Sequence, residues 1–327
     1  MDIKEVKEYV GADWTAVQER IAASLHSDIK LLDKTNESIL SHSGKQLRPL
    51  LTVLFARACA GGAITEATIR YASAAELLHN ATLLHDDVAD GSDKRRGVPT
   101  IMSLMGPSIS VLIGDYWLVK ALDLILSDAP SDSVVLKIFS KTLSALAEGE
   151  LLQLQKAQNG DTVEADYLRI IYNKTASLFE AACVSAALSV EAPEHMQKAA
   201  REYSVALGNA FQIQDDILDY CGSDSVGKPL GVDILEQKIT IPLLGAFANV
   251  SEQEEVRVRA LVNDIVGHPE HKDEIVEFVK ANKGLDYARR RLNEYVDEAV
   301  SALEVLPDSQ EKNFLVQLAY FTARRNM

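Results

Sequence analysis

Two short stretches of this sequence each carry three aspartates at the same spacing. LLHDDVAD, residues 83–90, contains Asp86, Asp87 and Asp90, and FQIQDDILD, residues 211–219, contains Asp215, Asp216 and Asp219. Carboxylate oxygens are the protein ligands that Mg²⁺ prefers, usually together with water and substrate phosphate oxygens. The two motifs therefore predict a site for divalent cations and a phosphorylated ligand.

The spacing within each motif favours a shared cation. Residues four apart lie on one face of a helix, so Asp86 and Asp90 project together, as do Asp215 and Asp219. Two such sets facing each other could hold several ions around a diphosphate. A single D-D-x-x-D could instead be a solvated helix end, but chance gives only about 0.1 matches in a chain of this length. Two copies, each preceded by apolar residues, argue against two solvated helix ends.

The elements that must position these motifs are helices. The chain of 327 residues has only 17 glycines and 9 prolines, and 47% of its residues are hydrophobic. Helical periodicity continues almost from end to end, which predicts roughly ten or more helices. No run of short alternating strands and no linker composition occurs. The sequence therefore predicts an all-α fold, a single helical-bundle domain over residues 1–327 around a central cavity.

Three of the predicted helices carry most of the candidate residues. One covers residues 72–90 and ends at Gly91, which can adopt the left-handed conformation of a helix C-cap. A second begins at Thr162, with Asp166 in its first turn, and continues as a long apolar helix. The third covers residues 195–220 and has the second aspartate set near its C-terminal end. Carboxylates at that end oppose the helix dipole, and a bound metal ion would offset the cost.

The net charge of −15 limits the partners of this chain. Nucleic acid and anionic lipid surfaces would be repelled, so neither is expected as the main partner. If the substrate is anionic, the sign of the charge must be reversed locally. Divalent cations are the obvious means.

The sequence shows no targeting segment and no membrane span. Its first residues lack the basic start and apolar stretch of a signal peptide, and no run of about 18 uncharged apolar residues occurs. The three cysteines, Cys59, Cys183 and Cys221, have no metal-ligand spacing and are expected in the core. We therefore expect a protein without a transmembrane segment in the reducing cytoplasm.

Further motifs accompany the aspartates. They are GKQLRP (44–49), ELLHNATLLHDDVADGSDKRRG (76–97), GD (114–115), KTASL (174–178) and GKPLGVDILEQKITIP (227–242). With them the chain resembles the all-trans isoprenyl diphosphate synthases, the polyprenyl synthetase family, over nearly its whole length. The resemblance implies the isoprenoid-synthase helical bundle, a homodimer, and Mg²⁺ as cofactor with up to three ions per active site.

The reaction that the resemblance implies is a prenyl transfer. Mg²⁺ and cationic side chains stabilise the departing allylic diphosphate, and the double bond of isopentenyl diphosphate attacks the cation-like allylic carbon. A proton is then lost. No side-chain base is evident, so the released diphosphate is the expected proton acceptor. A transient membrane contact would serve product release.

The resemblance also assigns residues to the two substrates. For isopentenyl diphosphate they are Lys45, Arg48, His79 and Arg96. For the allylic diphosphate they are Arg95, Lys174, Thr175, Gln212, Lys228 and Lys238. All six aspartates are assigned to the metal ions, and the catalytic set is Asp86, Asp90, Asp215, Lys174 and Lys228.

Elementary chemistry supports several of these assignments. Lys45 and Arg48 are three apart at the predicted start of a helix, where backbone N–H groups and the dipole favour phosphate. His79 lies two turns before Asp86 on the same face. Lys174 lies in an apolar helix, so its ammonium needs an anionic partner. Taken singly, each of these residues would more often be solvated charge or, for His79, a core histidine.

Product length depends on the helix that precedes Asp86. Ala81 and Thr82 lie five and four residues upstream, about 6 to 7.5 Å along the helix. In short-chain members of the family these positions often carry aromatic residues that block the growing product, whereas here both are small. We therefore expect the product tunnel to continue past them and to accept a product of about eight isoprene units, C40.

Three other interpretations stay open on the sequence alone. A short-chain farnesyl or geranylgeranyl diphosphate synthase shares the same motifs, although the first aspartate motif lacks the insertion found in some bacterial short-chain members. A terpene cyclase could use the first motif but needs no isopentenyl diphosphate site. A non-catalytic synthase subunit would be expected to have lost aspartates or arginines, which this chain retains.

Overall fold

The structure is a computed structural model that describes residues 2–95, 97–127, 133–221 and 231–324. These residues form sixteen α-helices, one π-helical turn, one 3₁₀ turn and a two-stranded hairpin. The prediction of an all-α fold is confirmed. The chain divides into two compact units, residues 1–140, 181–201 and 305–315 in the first and residues 141–180, 202–304 and 316–327 in the second. The single domain over residues 1–327 stays a prediction.

The first unit is built on its fourth helix. Its helices are α1 (Ile3–Leu25), α2 (Lys30–Ser41), α3 (Leu47–Ala60), α4 (Glu66–Ala89), α5 (Ile101–Met105) and α6 (Pro107–Leu126). Helix α4 packs against α1, α3, α5 and α6, and its buried residues include Leu77, Leu78 and Ala81. A helix that is apolar on most faces has to be enclosed by others. Helix α4 therefore extends from the core to the first aspartate motif at its end.

Local signals fix both ends of α4. Thr65 caps its start, since its hydroxyl accepts from the Thr68 backbone N–H at 3.2 Å. At the other end, Gly91 adopts a positive φ of 61°, and the Ser92 N–H bonds the Asp87 carbonyl at 2.9 Å. This six-to-one bond around a left-handed glycine satisfies a carbonyl that the helix leaves open. The predicted end at Gly91 is confirmed, and the helix begins earlier than predicted, at Glu66.

Four helices have residues in both units. They are α7 (Val134–Asn159), α9 (Ser177–Ser189), α10 (Glu194–Cys221) and α16 (Gln310–Arg324). Helix α10 agrees with the third predicted helix and carries the second aspartate motif in its last turns. The remaining helices are α8 (Glu164–Ile171), α11 (Val232–Leu235), α12 (Ile241–Phe247), α13 (Glu252–Asn263), α14 (His271–Ala281) and α15 (Gly284–Ala302). The 3₁₀ turn, Leu303–Val305, follows α15.

The second unit has its own apolar core. Tyr220 at the end of α10 is buried together with residues of α11 to α14, including Ile234, Leu243, Val258 and Ile275. Burial of each such aliphatic side chain contributes roughly 1.5–3 kcal/mol. This core anchors the C-terminal end of α10, which carries the second aspartate motif.

The helix predicted to begin at Thr162 is not one continuous α-helix. Helix α8 begins at Glu164, and the Asp166 carboxylate accepts from the Val163 N–H at 3.3 Å. A π-helical turn, Tyr172–Ala176, then joins α8 to α9. Such turns insert one extra residue per turn and are frequent at functional sites. Hydrophobic periodicity gave no sign of this turn.

The cysteines differ in their surroundings. Cys183 is buried and Cys59 is partly buried, whereas Cys221 at the end of α10 is exposed. The core prediction is therefore wrong for Cys221, because the core side of the last turn of α10 is taken by Tyr220 and its neighbour Cys221 lies on the exposed side. Burial raises the pKa of the Cys59 thiol to about 11. Within the described ranges, no helix has both the length and the apolar character needed to cross a bilayer.

Candidate active site

The first aspartate motif lies in the last turn of α4 and at its C-cap. Asp86 is partly buried, Asp90 is exposed, and the Asp87 carboxylate is only 6% exposed. Arg95 Nε donates to Asp87 Oδ1 at 2.8 Å. Burial raises the pKa of Asp87, and the Arg95 guanidinium opposes that shift. Asp87 is thus buried and paired with Arg95, whereas Asp86 is partly buried and Asp90 is exposed.

A short hairpin brings Arg95 back to α4. Strand β1 (Lys94–Arg95) pairs antiparallel with β2 (Val98–Pro99), with Arg95 opposite Val98. The turn between the strands needs Gly97, whose φ is +80°. Arg96, assigned to isopentenyl diphosphate by resemblance, lies outside the described residues. The loop thus brings a guanidinium to the acidic end of the helix.

Helix α6 contacts α4 directly before the first aspartate motif. Ser110 Oγ donates to the Leu84 carbonyl at 2.9 Å. A Cβ on Gly114 would lie 2.4 Å from His85 Nε2, so only glycine allows this approach. His85 Nε2 also lies 3.3 Å from Asp115 Oδ1. The GD pair of the sequence therefore supports the residue directly before Asp86.

The residues assigned to isopentenyl diphosphate lie on α3 and α4 where the structure describes them. Lys45 is exposed just before α3, and Arg48 is the second residue of that helix and is buried. The predicted position of this pair at a helix start is confirmed. His79 lies on α4, partly buried, and Ala81 is buried while Thr82 is partly buried. Gln46, between Lys45 and the helix, has a left-handed φ of 54°.

The second aspartate motif contains a continuous hydrogen-bond chain. Thr175 Oγ1 donates to Gln212 Oε1 at 2.9 Å, and Gln212 Nε2 donates to Asp216 Oδ1 at 2.9 Å. Tyr167 OH donates to Asp216 Oδ2 at 2.6 Å. Burial and the charge of Asp233 raise the pKa of Asp216, and the two donors oppose that shift. Both oxygens of Asp216 are thus used inside the protein.

Both carboxylate oxygens of Asp219 also accept hydrogen bonds from within the protein. Its Oδ1 accepts from the Val232 N–H at 3.1 Å and its Oδ2 from the Asp233 N–H at 3.2 Å. These are the first residues of α11, where a carboxylate is favoured by open N–H groups and the helix dipole. Asp215 is partly buried on the same helix turn. Asp219 therefore ties the end of α10 to α11.

A pocket with a cavity volume of about 140 Å³ lies beside this network and opens to solvent. Its lining includes three lysines and two buried or partly buried acids: Lys156, Lys174, Lys238, Asp216 and Asp233. The structure thus brings together Lys174, Gln212 and Lys238, three of the residues assigned to the allylic diphosphate, and Thr175 bonds to Gln212. Lys228 lies outside the described residues.

Each lysine of this pocket has a carboxylate neighbour. Lys174 forms an ion pair with Glu150, and Lys238 forms one with Glu236. Lys156 Nζ lies 2.8 Å from Asp166 Oδ2. The predicted need of Lys174 for an anionic partner is met within the protein. An anionic ligand at Lys174 would compete with Glu150.

The donor sets suit a hard divalent cation. Mg²⁺ is commonly held by one or two carboxylates, completed by waters and phosphate oxygens. Asp86 and Asp90 provide two carboxylates at the negative end of α4, and Asp215 provides one near the end of α10. Repulsion among these charges and the helix dipoles favours a cation at either place. The residues present therefore fit such an ion.

Comparisons with known proteins agree with this geometry. The family model "Polyprenyl synthetase" matches residues 29–279. The chain belongs to the polyprenyl synthetase family. Members of this family are prenyltransferases, so this protein is a prenyltransferase.

Relatives of this polyprenyl synthetase include long-chain enzymes. The chain is 39% identical to the octaprenyl diphosphate synthase of Haemophilus influenzae, over 100% of this chain and 98% of the relative. It is similar to the structure of a decaprenyl diphosphate synthase from Rhodobacter capsulatus, with a TM-score of 0.89, 34% identity and 98% coverage of both chains. A polyprenyl synthase from Caulobacter crescentus CB15, complexed with calcium and isoprenyl diphosphate, has a TM-score of 0.88, with 34% identity over 99% of this chain and 98% of its own.

Some residues of this polyprenyl synthetase site escaped the sequence analysis. They are Glu150, Lys156, Tyr167 and Asp233. Asp233 lies inside the GKPLGVDILEQKITIP motif, but no role was assigned to it. Tyr167 lies 49 positions from Asp216, and no spacing rule links the two. The charged ones are common residues in helices, so only their burial beside the motif distinguishes them.

We expect Tyr167→Phe to destabilise the second unit by about 1–3 kcal/mol, because Asp216 loses a donor that water cannot replace in a buried site. The pKa of Asp216 should rise further. Urea denaturation measures the free energy of unfolding. Tyr287→Phe is the matched control, since Tyr287 OH donates to Glu164 at 2.5 Å in a half-buried position where water can substitute. Equal losses of unfolding free energy in the two variants would show that the Tyr167–Asp216 hydrogen bond stabilises the protein no more than a half-buried one.

Gly208→Ala should also destabilise the protein, by about 1–3 kcal/mol, although alanine is the better helix former. A Cβ on Gly208 of α10 would lie 2.5 Å from Ala176 Cα, so the helix and the π-helical turn would have to separate. Thr175 would then move away from Gln212. Gly267→Ala is the control, because its nearest neighbours are 3.7 Å away. Thermal denaturation compares the two, and an unchanged Gly208→Ala midpoint would refute the close approach.

Proposed function

We propose that the protein is an all-trans polyprenyl diphosphate synthase with a long-chain product of about eight isoprene units. The observation that carries the proposal is the full-length similarity to an octaprenyl diphosphate synthase, in a chain that keeps both aspartate motifs. The small residues Ala81 and Thr82 on α4 support the length of the product. A short-chain synthase is the alternative.

Two groups of residues are proposed to bind the two substrates. The isopentenyl diphosphate group is Lys45, Arg48, His79 and Arg96, and the allylic group is Arg95, Lys174, Thr175, Gln212, Lys228 and Lys238. The contacts described above support parts of this division. Arg48 lies at the start of α3, where helix N–H groups favour a phosphate. Lys174, Gln212 and Lys238 line one pocket of the second unit.

Mg²⁺ is the proposed cofactor, with up to three ions per active site. When bound, it neutralises the negative charge of the departing diphosphate. Asp86 and Asp90 are proposed as ligands in the first unit and Asp215 in the second. Asp87, Asp216 and Asp219 remain in the proposed ligand set, but their contacts to Arg95, Tyr167 and α11 suit them also to hold the ligands in place.

The protein's own part in the reaction is electrostatic and steric. Lysines and arginines with fixed neighbours place positive charge where the diphosphate leaves, and they do so without reorganising during the reaction. Exclusion of water protects the cation-like carbon. The released diphosphate is the proposed acceptor of the final proton, because no side chain of the site presents an evident base.

The test is incubation of the purified protein with isopentenyl and farnesyl diphosphates and Mg²⁺, followed by mass analysis of the products. A ladder that ends at about eight isoprene units supports the proposal. Products that stop at three or four units would show a short-chain synthase. A cyclic hydrocarbon would show a cyclase, and absence of any product would indicate a non-catalytic subunit.

We also propose that two copies of the chain form a homodimer, through a stripe of exposed apolar residues on α6. Leu112, Val119 and Leu126 are 67%, 53% and 50% exposed and recur every seven residues, nearly two helical turns. Such a stripe on a helix is usually covered by a partner. A cytoplasmic location, with brief membrane contact at product release, completes the proposal.

Replacement of two residues of this stripe should give monomers. We expect the wild-type protein to have twice the mass of one chain by light scattering, and Leu112→Glu combined with Val119→Glu to have the mass of one. Val256→Glu with Val266→Glu is the control, since these side chains are similarly exposed on the second unit. A dimer that survives the α6 variant, or a wild-type monomer, would refute this interface.

A further inference from the structure

The loop between α13 and α14 gathers two histidines and a glutamate. Donor atoms of His268, Glu270 and His271 all lie within 4.8 Å of one another. The two imidazole rings stack, with centroids 5.3 Å apart and planes 24° from parallel. None of these residues belongs to the groups assigned to either diphosphate.

The backbone holds this cluster in place. The His268 carbonyl accepts from the His271 N–H at 3.0 Å, which closes a turn with Pro269 at its second position. Proline favours that position because its φ is already that of the turn. The Asp264 carbonyl accepts from the His268 N–H at 3.0 Å. The ligand-type side chains are therefore brought together before anything binds, which lowers the entropic cost of binding.

Carboxylates flank both ring nitrogens of His268, as they do around a metal-bound histidine. Its Nδ1 lies 2.9 Å from Glu270 Oε1, and its Nε2 lies 3.7 Å from Asp264 Oδ2. Metal-bound histidines usually present their second nitrogen to such a carboxylate. In addition, His271 Nδ1 is buried and has no hydrogen-bond partner among the described residues.

We propose that His268, Glu270 and His271 bind one transition-metal ion of the Zn²⁺ class, with Asp264 orienting His268. Two imidazoles and a carboxylate select Zn²⁺, Co²⁺, Ni²⁺ or Cu²⁺ over Mg²⁺, which prefers oxygen ligands. Two donors on one Zn²⁺ lie at most about 4.2 Å apart, given bonds of about 2.1 Å. Small rotations of the exposed His268 and Glu270 side chains would bring the present spacing to that value. Water occupies the remaining position of the ion.

The experiment uses the full chain without a histidine tag, titrated with Co²⁺ in saturating Mg²⁺ so that the aspartate motifs are already occupied. Visible absorption of Co²⁺ reports nitrogen ligands, and calorimetry with Zn²⁺ gives the affinity. We expect one equivalent to bind. His268→Ala with His271→Ala should weaken binding by more than about 100-fold, and Asp264→Asn by about tenfold.

The matched control is His26→Ala with His42→Ala, which removes two exposed histidines of the first unit and should leave the affinity unchanged. All these positions are exposed except His271, which is partly buried, and circular dichroism checks that each variant is folded. The proposal is overturned if the wild type and the His268/His271 variant give the same titration curve, including the case in which neither binds. It is equally overturned if the control variant loses the ion.

Discussion

Replacement of Asp86 by Asn should lower kcat by about 10³-fold, which corresponds to about 4 kcal/mol of barrier. The variant keeps the size of the side chain and removes one of two accessible carboxylates at the end of α4. With a weaker metal site, less positive charge faces the diphosphate as it leaves. The measurement is the initial rate of isopentenyl diphosphate incorporation at several Mg²⁺ concentrations.

Asp123→Asn is the matched control for this result. Asp123 lies on α6 in the same unit, with a side chain 61% exposed and a contact of 3.7 Å to Lys120 Nζ. Its replacement also removes one negative charge, so it tests whether the loss of any single negative charge lowers the rate. We expect its rate to stay within about twofold of the wild type, since exposed ion pairs contribute little. If Asp86→Asn retained the wild-type rate, or the wild type worked equally well in EDTA, the metal proposal would fail.

The second large effect concerns product length. Ala81→Phe should shorten the main product by several isoprene units, because the ring would fill the space five residues, about 7.5 Å, before Asp86 along α4. The first condensation should still occur at a rate within about tenfold of the wild type, since the substituted position lies away from the diphosphate. Mass analysis of the product series measures both effects. An unchanged product length would show that Ala81 does not line the product tunnel.

Ala72→Phe separates this effect from damage to the core. Ala72 is fully buried on α4 and lies nine residues before Ala81, on the opposite side of the helix. Overpacking at either position should cost about 1–3 kcal/mol of unfolding free energy. Only Ala81→Phe should shorten the product. If both variants shortened it, distortion of α4 rather than a blocked tunnel would explain the change.

Sequence reasoning was most successful where neighbours on one helix decide the outcome. The end of α4 at Gly91, the extent of α10 and the position of Arg48 at the start of α3 were all predicted, because caps, periodicity and glycine act within a few residues. It was less successful at the join of α8 and α9. A π-helical turn changes the phase of a helix without leaving a mark in composition.

The sequence sorted the six aspartates only in part. Helical spacing placed Asp86 with Asp90 and Asp215 with Asp219 on one helix face each, but it did not show what Asp87, Asp216 and Asp219 contact. The structure separates them, since Arg95 pairs with Asp87 and Tyr167 bonds Asp216. These partners come from other elements, so their contacts depend on how the chain packs.

What the sequence determined by itself was the chemistry available and its local arrangement: an all-α chain with two sets of three carboxylates, in each of which the first and last lie on one helix face. The tertiary structure decided which carboxylates are buried and already hydrogen-bonded, which lysines line one pocket, and that Gly208 allows α10 to approach Ala176. The physical reason is the separation along the chain over which each interaction acts. Helix periodicity and capping act over three or four residues, whereas burial and side-chain partners depend on packing between segments far apart in the chain.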